Sequence, residues 1–120
     1  MNPPPSAVQP KVRSADATGY VPALAGIQRK TLLDGGRTQI VEFKLARGTV
    51  IPLHDHPQEQ TGYLVSGRMT LTIAGVDHAL KPGDAWTIPG GVAHGAKVAK
   101  DSVAIEVFSP PRPDYRLPVG

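Results

Sequence analysis

The sequence predicts an all-β domain of the sandwich or barrel kind. Short apolar runs arrive roughly every 8 to 12 residues, the rhythm of such architectures. Turn signals separate them: Gly and Pro contribute 13 residues each of 120, above average usage. No stretch keeps helical spacing, apart from a Pro-limited segment around Val21 to Leu24.

Residues 1–25 read as a Pro-rich N-terminal arm. Pro3, Pro4, Pro5, Pro10 and Pro22 forbid regular helix there, and apolar periodicity is weak. Such an arm is either without regular structure or an edge strand laid on a partner subunit. Residues 26–120 read as the barrel domain. Ile27 to Leu33 and Thr38 to Ala46 are strand-like runs split by Asp34-Gly35-Gly36. Gln60 to Val65 and Met69 to Ala74 flank Ser66-Gly67-Arg68, and a further strand follows Gly75 to Asp77. Lys81-Pro82-Gly83-Asp84 is a turn motif. Ala85 to Ile88, Ala93 to Val98 and Val103 to Phe108 complete the series, and the Pro-rich tail from Ser109 to Tyr115 leaves the last strand abruptly.

The length fits one domain, large enough to bury a core without staples. There is no cysteine, which excludes disulfides, thiolate metal sites and a catalytic thiol. Net charge is +3, with basic residues scattered among acidic ones, so no nucleic-acid surface is expected. The apolar runs fall far short of the roughly 18 residues of a membrane span. Met1 to Pro10 lacks the apolar core of a signal peptide, and a cytoplasmic location is the expectation.

Chemistry concentrates in two segments. His54 and His56 stand two apart, so on a strand both imidazoles face one side; that pattern alone also describes exposed polar residues. Gly48, His54, His56, Gln60 and Gly67 spell G-x5-H-x-H-x3-Q-x6-G. Downstream, Gly83, Pro89, Gly91 and His94 spell G-x5-P-x-G-x2-H. The fourth histidine, His78, lies outside both blocks and reads as a solvated strand residue.

The two blocks resemble the paired motifs of the cupin superfamily, over roughly Gly26 to Pro111. The resemblance implies a jelly-roll barrel, the double-stranded β-helix. It also implies one divalent transition metal (Zn, Ni, Fe, Mn or Co) held by His54, His56, Gln60 and His94. Two positions depart from the pattern. Gln60 stands where cupins usually carry Glu, and the neighbouring Glu59 is one place too early and should point away; Val98 replaces a usual Asn. A neutral amide ligand leaves the full charge of the metal, favouring Lewis-acid chemistry, and removes a carboxylate base from the metal shell.

Within the superfamily, the segment from His54 to Gln60 and the ending from Glu106 to Arg112 are similar to the small pectin-degradation cupins. These help linearise 4-deoxy unsaturated uronates, with an acidic residue, a Phe and an Arg lining the pocket. Glu106, Phe108 and Arg112 match that spacing, which implies Glu106 as the proton-moving group and Arg112 as a bidentate carboxylate anchor. By alternation, either Glu106 and Phe108 face inward, or Val103, Ile105 and Val107 fill the core. Trp86 and Tyr63 are further pocket candidates. The leading expectation is a non-redox enzyme (isomerisation, ring opening or cyclisation) acting on a small carbonyl or hydroxy substrate such as an unsaturated uronate. The alternatives are a metal-dependent dioxygenase and a non-catalytic small-molecule-binding cupin. A homodimer is the expected assembly.

Overall fold

The computed structural model describes residues 8–118. The part of the Pro-rich arm before Val8 lies outside the described residues. Eight strands follow one another: β1 (Val21–Pro22), β2 (Ile27–Asp34), β3 (Gln39–Leu45), β4 (Val50–His54), β5 (Glu59–Ile73), β6 (Val76–Leu80), β7 (Ala85–Ile88) and β8 (His94–Ser109). A 3-10 turn over Pro113–Tyr115 comes after them. All pairings are antiparallel, in the order β1-β2-β3-β8-β5-β6, with β4 on β8 and β7 on β5.

Two long strands make the jelly roll. β5 and β8 pair with each other from Glu59↔Ser109 to Ile73↔His94. The first half of β5 also takes β7, and its second half takes β6. The second half of β8 carries β3, and its first half carries β4. The two strands therefore run through both layers and fold them over a shared core. The sequence splits each of them in two at Ser66-Gly67-Arg68 and before Val103. The structure has a crimp at the first place instead, where the register slips between Leu64 and Met69. Gly67 permits it: φ is 98°, and a Cβ there would sit 2.1 Å from the Ser102 hydroxyl oxygen.

Alternation along the strands selects the core. Leu64 and Ile88 are fully buried, among Ile27, Leu45, Met69, Leu71, Ala96, Val98 and Ala104. Val103, Ile105 and Val107 stand half-buried on the other face of β8, while Ser102, Ala104, Glu106 and Phe108 face inward. Of the two orientations the sequence leaves open for β8, the first is the one found.

The described part of the arm docks on its own chain, where the sequence leaves the choice between no regular structure and an edge on a partner. Val21 and Pro22 pair with Arg29 and Gln28 of β2. Arg13 donates to the carbonyls of Thr31 and Leu32, and the nearly buried Lys30 ammonium reaches Asp16 at 2.9 Å. Tyr20 hydrogen-bonds Glu42 and lies under the Lys44 ammonium, 4.0 Å from its ring centre. Polar anchors thus do what the weak apolar pattern of this segment could not. Among the described residues, no helix is long and apolar enough to cross a membrane.

Candidate metal centre and pocket

Three imidazoles converge at one end of the barrel. His54 closes β4 and His94 opens β8, and the two are register partners with ring centres 4.3 Å apart. β4 ends at His54, so His56 joins from the connection to β5 and not by strand alternation. The ligating nitrogens of His54, His56 and His94 all lie within 4.8 Å of one another. Two nitrogens opposite each other across one ion, at about 2.1 Å each, stand about 4.2 Å apart, so side-chain shifts of a few tenths of an ångström bring the three rings around a single cation.

Each ring is oriented by its other nitrogen. Nδ1 of His54 bonds the Pro52 carbonyl at 2.9 Å, Nδ1 of His56 that of Gln58 at 3.0 Å, and Nδ1 of His94 that of Val92 at 2.8 Å. A carbonyl can only accept, so each neutral ring carries its proton on Nδ1 and turns the Nε2 lone pair to the shared centre. Burial holds the pKa of His56 and His94 below the ordinary histidine value, which keeps those rings neutral.

Gln60 stands beside the three rings. Its Oε1 lies 2.7 Å from Nε2 of His56, while its Nε2 donates to Oε2 of Glu106 at 3.1 Å. With the amide nitrogen and His56 Nδ1–H both committed, an oxygen lone pair faces a nitrogen lone pair across that short gap. A shared cation resolves the conflict, so the donor set fits a divalent metal. Glu59, beside Gln60, points outward as expected, and His78 is exposed on β6.

Behind the amide lies a buried carboxyl group. Glu106 accepts from Gln60 on one oxygen and from Nε1 of Trp86 on the other, at 3.1 Å. Burial pushes its pKa up to about 8, against the opposing pull of those two donors. Its register partner on β5 is Gly62, whose other neighbour is Trp86 on β7. The indole therefore crosses the bare backbone of Gly62 to reach a residue two strands away; a Cβ on Gly62 would meet the ring at 2.2 Å.

A cavity of about 500 Å³ opens above this group, lined by His54, Gln60, His94, Glu106 and Phe108 and floored by apolar residues such as Leu71 and Ala104. At its mouth stand Arg29, Arg112, Asp114 and Tyr115. Arg112 stacks 4.1 Å from the Tyr115 ring centre and pairs with Asp114 at 3.3 Å. A volume of this order suits a small-molecule ligand.

The Cupin domain family model matches residues 41–109. The chain belongs to the cupin family. Among cupins it is 32% identical over 92 residues to the pectin degradation protein KdgF of Dickeya dadantii (strain 3937), covering 75% of this chain and 84% of that protein. The solved structure of KdgF from Halomonas sp. superposes with a TM-score of 0.77 at 35% identity, over 81% of this chain and 90% of the other. Quercetin 2,3-dioxygenase of Bacillus subtilis (strain 168) is 34% identical over 89 residues, 69% of this chain but 26% of the enzyme. This cupin thus spans about a quarter of that dioxygenase's length. The resemblance to pectin-degradation cupins read from the motifs stands, and the three-histidine cluster with these relatives supports a divalent metal site.

Of the cupin's expected pocket residues, Phe108 lines the cavity and Trp86 lies behind Glu106 instead of on the wall. Tyr63 is a correction: it stands on the outer face, 49% exposed, and does not line the cavity. Its parity is opposite to that of Gln60, so the same strand that turns Gln60, Gly62 and Leu64 inward turns Tyr63 out. Three residues were missed. Gly62 is marked by being a glycine inside a strand, a sign of close approach. Arg29 is marked by its inward parity between Ile27 and Thr31. Tyr115 carries no local signal, because the fold-back of the tail is what delivers it to the mouth.

Proposed function

We propose that this cupin is a metal-dependent enzyme of non-redox proton-transfer chemistry, with unsaturated uronates from pectin or a related polymer as substrate class. The observation that carries the reading is Glu106, a buried carboxyl group in the same cavity as the imidazoles and one hydrogen bond from Gln60. A divalent ion held by His54, His56, Gln60 and His94 would supply Lewis-acid polarisation of a substrate oxygen.

The chain's own residues do the rest. Glu106, whose burial raises its affinity for the proton, can carry one and deliver it to carbon. Trp86 and Gln60 hold both carboxyl oxygens, which fixes the angle of transfer. Arg112 presents its guanidinium to the substrate carboxylate at the mouth, and Phe108 shields the reacting end from water. For a cyclic unsaturated uronate the step balances with one water. The proton of Glu106 goes to C4 of the enol ether, hydroxyl adds at C5, and the spare proton of the water returns to Glu106. The resulting hemiketal opens to a linear ketone.

The test is the loss of the ultraviolet absorbance of the unsaturated uronate, followed with reconstituted protein in air and under argon. Equal rates are expected, with Glu106→Gln slower by at least about a hundredfold. A second reading, an oxygen-dependent enzyme, is favoured by the 34% identity to the quercetin dioxygenase. It requires turnover to stop under argon. No turnover on any uronate, in either atmosphere, would leave a binding protein.

A further inference from the structure

We propose that Arg29 is a second anion-recognising group at the pocket mouth, and that with Arg112 it makes the site selective for carboxylate-bearing ligands over neutral sugars. This rests on the reading above, which it deepens by naming what the mouth discriminates. Arg29 occupies an inward position of β2, between the buried Ile27 and Thr31, where a strand of this barrel otherwise places core residues. Its guanidinium lies 4.2 Å from the Tyr115 ring centre, and that of Arg112 lies 4.1 Å from the same centre. Stacking on an aromatic ring fixes the plane of a guanidinium and leaves its N–H edge to meet a carboxylate.

The charge count at the mouth points the same way. Among the described residues, Asp114 is the one exposed carboxylate lining the cavity, and it pairs with Arg112. Arg29 has no carboxylate partner among the described residues; it donates a long hydrogen bond, 3.4 Å, to the backbone carbonyl of Asp114. Two guanidiniums against one exposed carboxylate leave the entrance positive. Both arginines line the cavity that also holds His54 and His94, so an anion held by either guanidinium can extend its other end toward the imidazoles. Arg29 is a specificity determinant in this account, and Glu106 keeps the proton work.

The experiment compares binding of D-galacturonate and D-galactose to the full chain with its metal, read by titration calorimetry and by fluorescence of Trp86. Wild type, Arg29→Gln and Arg29→Lys are measured in low and high salt. Wild type is expected to prefer the acid, and Arg29→Gln to reduce that preference about tenfold while galactose binding stays constant, as for one lost charge-assisted hydrogen bond. Arg29→Lys, which keeps the charge and loses the planar fork, should fall between and guards against a folding defect in the first variant. Metal content and melting temperature are expected to match wild type. The proposal is overturned if Arg29→Gln keeps the full preference, if it weakens both sugars alike, or if wild type shows no preference. Absence of uronate turnover would strike the reaction proposed above and leave this comparison intact, because binding is read without turnover.

Discussion

Replacing Gly62 with Ala tests the row Trp86–Gly62–Glu106 directly. The added Cβ would lie 2.2 Å from Cε2 and Nε1 of Trp86, whereas ordinary contact begins near 3.4 Å. The buried indole must therefore retreat by about 1 Å or more, which carries Nε1 out of hydrogen-bond range of Glu106, now 3.1 Å away. Overpacking of this kind costs about 1–3 kcal/mol, and a lost hydrogen bond to a neutral carboxyl about 0.5–1.5 kcal/mol. Partial relaxation overlaps the two, so about 3 kcal/mol is expected, or a melting temperature lower by roughly 10 °C for a domain of this size. Trp86 is the only tryptophan in the chain, so its emission reports both the displacement and urea unfolding. The companion variant Trp86→Phe, followed by circular dichroism, should make Gly62→Ala much less costly, giving a coupling of at least about 1 kcal/mol. A Gly62→Ala protein with unshifted emission and stability within about 0.5 kcal/mol of wild type would refute the packing argument.

Three other outcomes are expected. In chelator-treated protein, Glu106 holds its proton up to about pH 8, against about 4.5 for an ordinary glutamate side chain. The folded state then binds more protons than the unfolded one between those values, so this group's contribution to stability declines as pH rises from about 4.5 to 8; Glu106→Gln should flatten that slope in pH-dependent urea melts. Adding a divalent metal at a hundred times its dissociation constant should stabilise the fold by about 2.7 kcal/mol, reversed by chelator and absent in His54→Ala, as read by thermal melting. Asp16→Ala removes the carboxylate facing the nearly buried Lys30 and should speed tryptic cleavage after Arg13 several-fold while the barrel remains folded; an unchanged digestion pattern would show that other contacts hold the arm.

Much of the site was legible because ligand spacing and strand parity are local properties. His54, His56 and Gln60 lie within seven residues of one another, and His94 follows a Pro and Gly block that marks a strand start. The orientation of Glu106 was also within reach. His94 and Glu106 share parity, and β8 runs unbroken from one to the other, so an inward His94 implies an inward Glu106. Reading β8 as two strands hid that link. Tyr63 was misjudged for want of the same parity argument from Gln60. The contacts that no local pattern announces are the long-range ones: Tyr115 under Arg29 and Arg112, Asp16 against Lys30, and Trp86 across Gly62. Each depends on where a tail, an arm or a third strand comes to rest, which packing decides and spacing does not.

The most direct measurement is the metal content of reconstituted, gel-filtered protein by mass spectrometry, for wild type beside His94→Ala. One divalent ion per wild-type chain, with near-complete loss in the variant, is the expected result. Wild-type protein that leaves the column without metal, or a variant that keeps it, would mean that these four side chains do not together hold a cation.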